Sequence, residues 1–323
     1  MPKDITHWAL ATTARKNVHF KRIKYVIDEN YASFLGGAVA YDIPYYSPAN
    51  SSLILAKKAD ELHGVKTCRV WEPIINLLQN YSLDEDGDIP DFLLSFILGC
   101  ISHIIIDSHY HPLIYYFTGN CYDKDIHKRN KAIVEHRQFE SHLDLYYLRK
   151  LNYTGPTSAK YIISQLQGPM IAEVLSLLYF SNDVDKRIEM TQDCLNAYIK
   201  TQGLLNNKIM KYLLKFIGIV SVEMRKRSAL CYPKTIYPAY YQLFENNSQY
   251  RHPTSGELIQ ASFDTIYDKC IADIVSSFSK FDCCRTRNEY IETIRSFSAV
   301  SLETGKECTS PSLMRYFFKN CSS

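Results

Sequence analysis

The stretch ISHIIIDSHYHPLIYYF, residues 101–117, is the most informative part of this sequence. It extends an apolar run that begins at residue 92, and Pro90 precedes that run, where proline is typical of the first turn of a helix. The stretch also places three histidines and an aspartate where a buried helix normally has Ile or Leu. The sequence therefore predicts a long buried helix that carries ligand-type side chains.

The rest of the chain also favours helices. Its 323 residues include 25 Tyr and 15 Phe against 12 Gly and 12 Pro, which indicates long elements and few tight turns. Apolar spacing predicts a first helix starting near His7 with Thr6 as its N-cap, and a short helix from near Ser51 to a stop at Gly64. Further helices are predicted over residues 131–151, 169–180, 184–203, 207–225, 256–279 and 287–298.

Alternating strand patterns are scarce, so the predicted fold class is all-α. Residues 34–52, with paired glycines and two prolines, read as an irregular loop. We expect a helical core over residues 1–200 and a helical C-terminal extension over residues 201–323 that packs on it, or a single continuous domain.

Composition argues against several functional classes. The net charge of +3 is small and the basic residues are spread along the chain, so nucleic-acid binding gains no support. The N-terminus MPKDITHWAL lacks the layout of a signal peptide, and the apolar run over residues 92–106 is too short and interrupted to span a bilayer. The ten cysteines form no CxxC pair, which favours reduced thiols. We therefore expect a cytoplasmic protein without a transmembrane segment.

The polar residues of the quoted stretch have the spacing of metal ligands. Residues four apart project from one face of a helix, so His103 and Asp107 lie one turn apart and His111 lies a turn further on. Burying an imidazole and a carboxylate among isoleucines is costly unless they are paired with each other or bound to a metal. This stretch alone is compatible with either arrangement.

A second predicted helix repeats the pattern. His136 and Glu140 have the same spacing, and Asp144 lies a further turn along that face. Zinc accepts both histidine nitrogen and carboxylate oxygen, and a catalytic zinc site needs several such donors with one position open for water. His142 lies off this face, and we expect it at the surface or in a supporting role. Two such helices favour a metal site over an isolated polar pair.

Further candidate ligands lie at predicted helix ends or in irregular backbone. They are His7 near the first helix start, Asp42 in the Gly/Pro loop and His63 beside the helix stop. Each alone is also compatible with a cap, an Asx turn or a surface position. The histidines at 19, 127 and 252 have no comparable partners.

In order, type and spacing these residues resemble the zinc-dependent phospholipase C family. The motifs, between about residues 5 and 148, are His7-Trp8, Asp42, His63, His103-x3-Asp107, a following histidine and His136-x3-Glu140. The segment YRHPTSGELIQASFDTIYDKC, residues 250–270, resembles the helical C-terminal segment of intracellular relatives. The chain departs from secreted members, whose third zinc is completed by an amino-terminal Trp, and it shows no strand-rich, lipid-binding C-terminal segment.

The resemblance implies an all-α domain that holds two or three zinc ions in a cleft. It assigns one zinc to Asp42, His63, His103 and Asp107, a second to His111, His136 and Glu140 with His109 as the alternative to His111, and a third to His7 with Asp107 as a bridge. It further implies that zinc-bound hydroxide attacks the phosphorus of a phosphodiester. Asp42 would then also accept a proton from the attacking water.

The substrate implied is a phosphoester or phospholipid-like molecule, and a soluble or extracted one is favoured over an intact membrane. Two other functions remain open: a single-strand nuclease with similar ligands, which needs a basic groove and stacking aromatics, and a metal-binding protein without turnover. The tyrosines at 41, 45 and 46 either line a substrate pocket or pack in the core. The leaving-group acid and the oligomeric state are not identified by the sequence.

Overall fold

The computed structural model describes residues 3–47, 52–66, 68–82, 88–166, 168–180, 184–205 and 207–318. Over these residues the chain is built from helices, with one two-stranded sheet. The prediction of an all-α fold is therefore confirmed.

The helices fall into a longer N-terminal series and a shorter C-terminal one. The first series is α1 (Asp4–Lys16), α2 (Lys21–Glu29), α3 (Tyr31–Gly37), α4 (Ser52–Leu62), α5 (Glu72–Asn80), α6 (Asp91–Thr118), α7 (Ile126–Lys150), α8 (Ala159–Gln165), α9 (Gly168–Tyr179) and α10 (Val184–Leu205). The second is α11 (Lys208–Ile217), α12 (Val222–Ser228), α13 (Pro238–Asn246), strands β1 (Tyr250–Arg251) and β2 (Leu258–Ile259), α14 (Phe263–Ser279) and α15 (Arg287–Arg295). Short 3-10 turns occupy Ile43–Tyr46 and Pro311–Leu313.

Helix α6 is the centre of the fold. It is apolar all round and buried along most of its length, and it continues through Pro112 without a break in the helix. Helices α1, α2, α3, α7 and α14 pack against it. By length and composition α6 could also cross a membrane, but 83% of its most apolar window is buried inside the protein, as in the core helix of a soluble protein.

Helix α3 approaches α6 at backbone distance. Gly37 and Gly99 face each other there, and a Cβ on either would overlap the opposite backbone, at Phe96 and Phe34 respectively. Two glycines are therefore required at this crossing, because any larger residue would force the helices apart.

Helix α1 begins at Asp4, earlier than predicted, and Thr6 is not its N-cap. A carboxylate from α7 instead accepts hydrogen bonds from backbone N–H groups at the start of α1. Asp144 accepts hydrogen bonds from the backbone nitrogens of Ile5 (3.3 Å) and Thr6 (2.8 Å) and from Thr6 Oγ1 (2.6 Å). A negative charge at a helix N-terminus is favourable, and this one also fixes α1 against α7.

The segment between α3 and α4 is more regular than the predicted loop. Residues 34–37 belong to α3, and tight turns connect them to the 3-10 turn. Ser51, predicted near the start of α4, lies outside the described residues. Gly64 ends this helix as predicted, with a φ of +68° in the left-handed region that favours glycine.

The C-terminal elements share the core of the rest. Helix α14 lies against α1 and α6, α15 lies against α5, and the continuous apolar core reaches Leu302 in the loop after α15. The proposed division after residue 200 falls inside α10, and a separate C-terminal domain stays a prediction.

Two of the predicted C-terminal helices differ in extent. The helix predicted over residues 207–225 is interrupted near Gly218, which separates α11 from α12. The one predicted over residues 256–279 begins only at Phe263, because the residues before it form a hairpin in which Tyr250 pairs with Ile259.

Candidate metal centre

The predicted ligands come from five separate parts of the chain and lie together in the interior. They are His7 on α1, Asp42 before the 3-10 turn, His63 after α4, His103, Asp107 and His111 on α6, and His136 and Glu140 on α7. None of them is more than 5% exposed. The structure thus brings together residues that span more than a hundred positions of sequence.

Asp42, His63, His103 and Asp107 form the first group, in which one donor atom of each lies within 4.8 Å of the others. The Nε2 of His63 lies 3.2 Å from Asp42 Oδ1 and 3.5 Å from Asp107 Oδ2. The Nε2 of His103 lies 3.6 and 3.2 Å from the same two oxygens. Tetrahedral zinc with bonds of about 2.1 Å separates its ligand atoms by roughly 3.4 Å. The observed spacing therefore fits a four-coordinate zinc ion.

Backbone carbonyls fix the orientation of three of the histidines. Nδ1 donates to Ala59 O in His63 (2.8 Å), to Ala38 O in His103 (2.9 Å) and to Leu302 O in His111 (2.9 Å). A carbonyl only accepts, so each Nδ1 must carry the proton, which leaves the lone pair of Nε2 directed at the carboxylates. This is the tautomer that a metal ligand requires.

His111, His136 and Glu140 form the second group. His136 Nε2 lies 2.9 Å from Glu140 Oε1, and the ring centroids of His111 and His136 are 5.8 Å apart. Asp107 connects the two groups, since its Oδ1 lies 3.9 Å from His111 Nε2 while its Oδ2 faces the first group. His109 instead pairs with an aspartate on α14, at 2.8 Å, so the geometry favours His111 over His109.

His7 lies beside the remaining oxygens of the two aspartates. Its Nε2 is 3.3 Å from Asp107 Oδ1 and 3.9 Å from Asp42 Oδ2, and its ring stacks on His103 at 4.2 Å. Each aspartate thus offers one oxygen to the first group and the other to His7. The described residues place one imidazole and two shared carboxylates at this third position.

Buried polar atoms without hydrogen-bond partners indicate whether a cation fits the metal centre. Buried donors and acceptors are almost always paired, and leaving one unpaired costs about 1–3 kcal/mol. Within the described residues, the atoms that make no hydrogen bond include Nε2 of His7, His103 and His111 and both carboxylate oxygens of Asp107. A divalent cation among them would satisfy these atoms together, so the donor set fits zinc.

The charges of the centre are strongly coupled. Burial disfavours the charged form of Asp107, but the neighbouring His111 and His103 hold its pKa well below the usual range. Burial lowers the pKa of His63, yet the adjacent carboxylates of Asp107 and Asp42 outweigh it and raise that pKa to about 10. Burial also lowers the pKa of His103, but Asp107 and Asp42 outweigh it and raise that pKa. Without a metal the two carboxylates therefore favour protons on His63 and His103, and a metal ion must displace those protons to bind.

A comparison with known protein families matches residues 6–219 to the family described as zinc dependent phospholipase C. The chain belongs to this family. No curated protein and no solved structure matches the chain. All of the predicted ligands lie inside the matched segment, whereas the loop that follows α15 lies outside it.

That loop supplies Glu303, which the sequence analysis missed. Glu303 is 2% exposed and accepts a hydrogen bond from the Tyr115 hydroxyl, and the Tyr115 ring lies 4.8 Å from that of His136. Burial raises the pKa of Glu303, and positive charge on His63 opposes that shift. Neither helical spacing nor the zinc-dependent phospholipase C motifs connect this residue to the ligands, so no local signal pointed to it.

The three tyrosines beside Asp42 have different surroundings. The Tyr41 hydroxyl donates to Val70 O (2.7 Å) in the core, and Tyr46 packs against Tyr198 with ring centroids 5.1 Å apart. Tyr45 is 36% exposed and its ring lies 5.3 Å from that of His63. Of the three, Tyr45 alone combines exposure with a position beside the metal centre.

The other polar residues of α7 have structural roles. His142 is buried and lies against Tyr240 and Tyr237, at 4.3 and 4.4 Å between ring centroids, so the expected surface position is wrong. Asp144 holds the start of α1 and also accepts a hydrogen bond from Tyr232 (2.7 Å). This carboxylate positions α1, and with it His7, without joining the metal centre.

Proposed function

We propose that this protein is a phosphodiester hydrolase of the phospholipase C type that works with zinc ions held in the metal centre. The observation that carries the proposal is the position of Asp107, which presents one oxygen to the first group and the other to His111 and His7. A carboxylate shared in this way holds cations close enough to act on one phosphate.

The ligands are assigned by group. Asp42, His63, His103 and Asp107 hold one ion, His111, His136 and Glu140 hold a second, and His7 joins the two aspartates at a third position. When bound, zinc lowers the pKa of coordinated water towards neutrality and offsets negative charge that builds up on the phosphoryl group.

The protein's own residues orient the reaction. Asp42 is assigned as proton acceptor for the attacking water when the third position holds no ion, because its Oδ1 lies near His63 and His103 whereas its Oδ2 lies 3.9 Å from His7 Nε2. Tyr45 is assigned to contact the substrate, since it lies exposed beside the metal centre. Tyr115, held by Glu303, packs against His136 and keeps that imidazole in place.

The proposed substrate is phospholipid-like, with cleavage on the glycerol side of the phosphate. Membership of the zinc-dependent phospholipase C family supports this substrate class. The identity of the head group would follow from the products released from phospholipids of different head groups.

The first test compares the purified protein with an Asp107→Asn variant. We expect zinc in the wild-type protein by mass spectrometry, hydrolysis of a chromogenic phosphodiester, and loss of activity in chelator that returns with zinc. The variant should lose zinc and about 100-fold or more of its activity, because the shared oxygens are no longer both anionic.

The control is His127→Asn, which replaces an exposed histidine at the start of the same helix as His136. This substitution should change neither the zinc content nor the activity. Zinc without turnover on any phosphodiester would make the protein a metal-binding protein and overturn the proposal. Preferential cleavage of single-stranded DNA over phospholipid would also overturn the proposal and would support the nuclease alternative.

A further inference from the structure

Helix α11 and the turn after it expose a stripe of large apolar side chains. Ile209, Leu213 and Phe216 occupy i, i+4 and i+7 of the helix and are 80, 48 and 74% exposed. Ile219 and Val220 continue the stripe into the turn, at 70 and 87% exposed. We call these five residues the apolar stripe. Contiguous exposed patches of this kind mark interaction surfaces, since they are rare on soluble monomers.

The same helix also carries basic residues on another face. Lys211 and Lys215 lie one turn apart, at i and i+4, on another face of α11. Arg225 of α12 folds back to this helix, and its Nε donates to the carbonyl of Gly218 (3.0 Å). The helix thus has an apolar face and a basic one.

The basic residues also line a cavity of about 410 Å³ between α7, α11 and α12. Lys211, Lys215 and Arg225 are among its lining residues, and no carboxylate of the described residues is. The nearby Glu223 pairs with Lys226 instead, at 3.3 Å. No carboxylate among the described lining residues therefore offsets the positive charge of the cavity.

We propose that the apolar stripe and the basic cavity together form a docking surface for a membrane that carries anionic lipid head groups. The apolar side chains would enter the boundary between head groups and acyl chains, while the lysines and Arg225 would contact phosphate groups. An exposed apolar face together with a lysine-rich face is the pattern of helices that lie in this boundary.

The charge distribution favours a lipid surface over a second copy of the chain. A twofold dimer through this surface would place the lysines of one copy near those of the other, because the same patch is used on both sides. An anionic membrane instead supplies negative charge wherever the basic residues lie.

The docking surface is attached to the helix that carries part of the metal centre. Arg137 Nη1 donates to Lys226 O (2.9 Å) and Ser141 Oγ donates to Ala229 O (3.2 Å), which joins α7 to α12 and the residue after it. Arg137 and Ser141 each follow a predicted ligand by one position in the sequence. Membrane binding would therefore place α7, which carries part of the metal centre, beside the membrane, and this departs from the preference for soluble substrates.

A role for this surface in catalysis rests on the proposed function. Membrane binding by the surface does not depend on that function. The test is therefore co-sedimentation of the chelator-treated protein with vesicles of phosphatidylcholine, alone or mixed with phosphatidylserine. We expect binding to the mixed vesicles that weakens as salt rises. Phe216→Ser combined with Val220→Ser should reduce binding about tenfold, and Lys215→Glu should reduce it selectively for the mixed vesicles.

Matched controls lie elsewhere on the surface. Tyr161→Ser on α8 removes an aromatic ring that is 55% exposed, and Lys24→Glu on α2 reverses an exposed charge. Both should bind vesicles like the wild-type protein, and all variants should hydrolyse a soluble chromogenic diester at the wild-type rate.

Three results would overturn the proposal: no binding to mixed vesicles, equal loss in the controls, or dimers in sedimentation velocity that disappear in the Phe216→Ser, Val220→Ser variant. Failure of the proposed function would look different. Vesicle binding without hydrolysis of any phosphodiester would refute the enzyme and leave the docking surface standing, whereas hydrolysis without binding would do the reverse.

Discussion

The ligand side chains were predictable from the sequence because two chemical patterns coincide in it. His103 with Asp107 and His136 with Glu140 each place an imidazole and a carboxylate one helical turn apart in apolar surroundings. The structure brings these pairs together with the single residues His7, Asp42 and His63. The role of all these residues as metal ligands is a proposal.

The groups that orient those ligands were not predictable. The Nδ1 atoms of His63, His103 and His111 are held by backbone carbonyls, which have no signature in a sequence. Glu303 was missed for a related reason, since it reaches the centre through Tyr115 and from a loop 188 positions away. Interactions between distant segments depend on the finished fold.

Glu303 provides a test of this supporting arrangement. Glu303→Ala removes the acceptor for the Tyr115 hydroxyl, which frees the ring that packs on His136. We expect zinc affinity to fall by about 10–100-fold, and Glu303→Gln, which keeps an acceptor oxygen, to lose much less. Zinc affinity would be measured by competition with a chromophoric chelator.

Glu307→Ala, an exposed glutamate in the same loop, is the control for the loop itself. Should Glu303→Ala bind zinc as tightly as the wild-type protein, the contact with Tyr115 has no part in holding the centre.

Long helices were predicted well, and most short ones were not. The patterns for α6, α7, α9 and α10 gave elements close to the observed ones. Helices α2, α5, α8 and α13 have only seven to nine residues and were not predicted. Helices this short are marginal in isolation and depend on tertiary packing, so local pattern says little about them.

Helices α3 and α6 make the closest helix–helix contact described above, and a substitution at their crossing tests its importance. Gly99→Ala places a methyl group against the backbone of Phe34 and Ala38, so the helices must separate. We expect the free energy of unfolding to fall by about 2 kcal/mol or more. Denaturant unfolding followed by circular dichroism would measure it.

Gly203→Ala makes the same chemical change in α10, where nothing lies near the added methyl group. There the higher helix propensity of alanine should stabilise the protein by about 0.5–1 kcal/mol. Equal effects at the two positions would contradict the role assigned to the α3–α6 crossing. Because His103 donates to Ala38 O just beyond this crossing, Gly99→Ala should also weaken zinc binding.

Across the whole molecule, the metal centre connects helices that the sequence keeps far apart, so zinc binding should stabilise the fold. At free zinc a hundred times the dissociation constant, the expected gain is about 2.7 kcal/mol, or a rise in Tm of roughly 5 °C for a chain of this size. Differential scanning calorimetry of zinc-loaded and chelator-treated protein would measure the rise.

The Asp107→Asn variant should show little or no such rise, whereas His127→Asn should show all of it. A protein whose Tm is indifferent to zinc would show that the buried imidazoles and carboxylates satisfy one another without a metal.

Two hydrogen bonds of the Leu302 backbone decide when the metal centre can form during protein synthesis. Leu302 accepts from His111 Nδ1 through its carbonyl and donates from its nitrogen to His63 O at 3.0 Å, so it touches both groups of ligands. These bonds can therefore form only after residue 302 has been synthesised. The nascent chain carries every proposed ligand long before Leu302 can orient His63 and His111, so the proposed metal centre should form only after α15 has been synthesised.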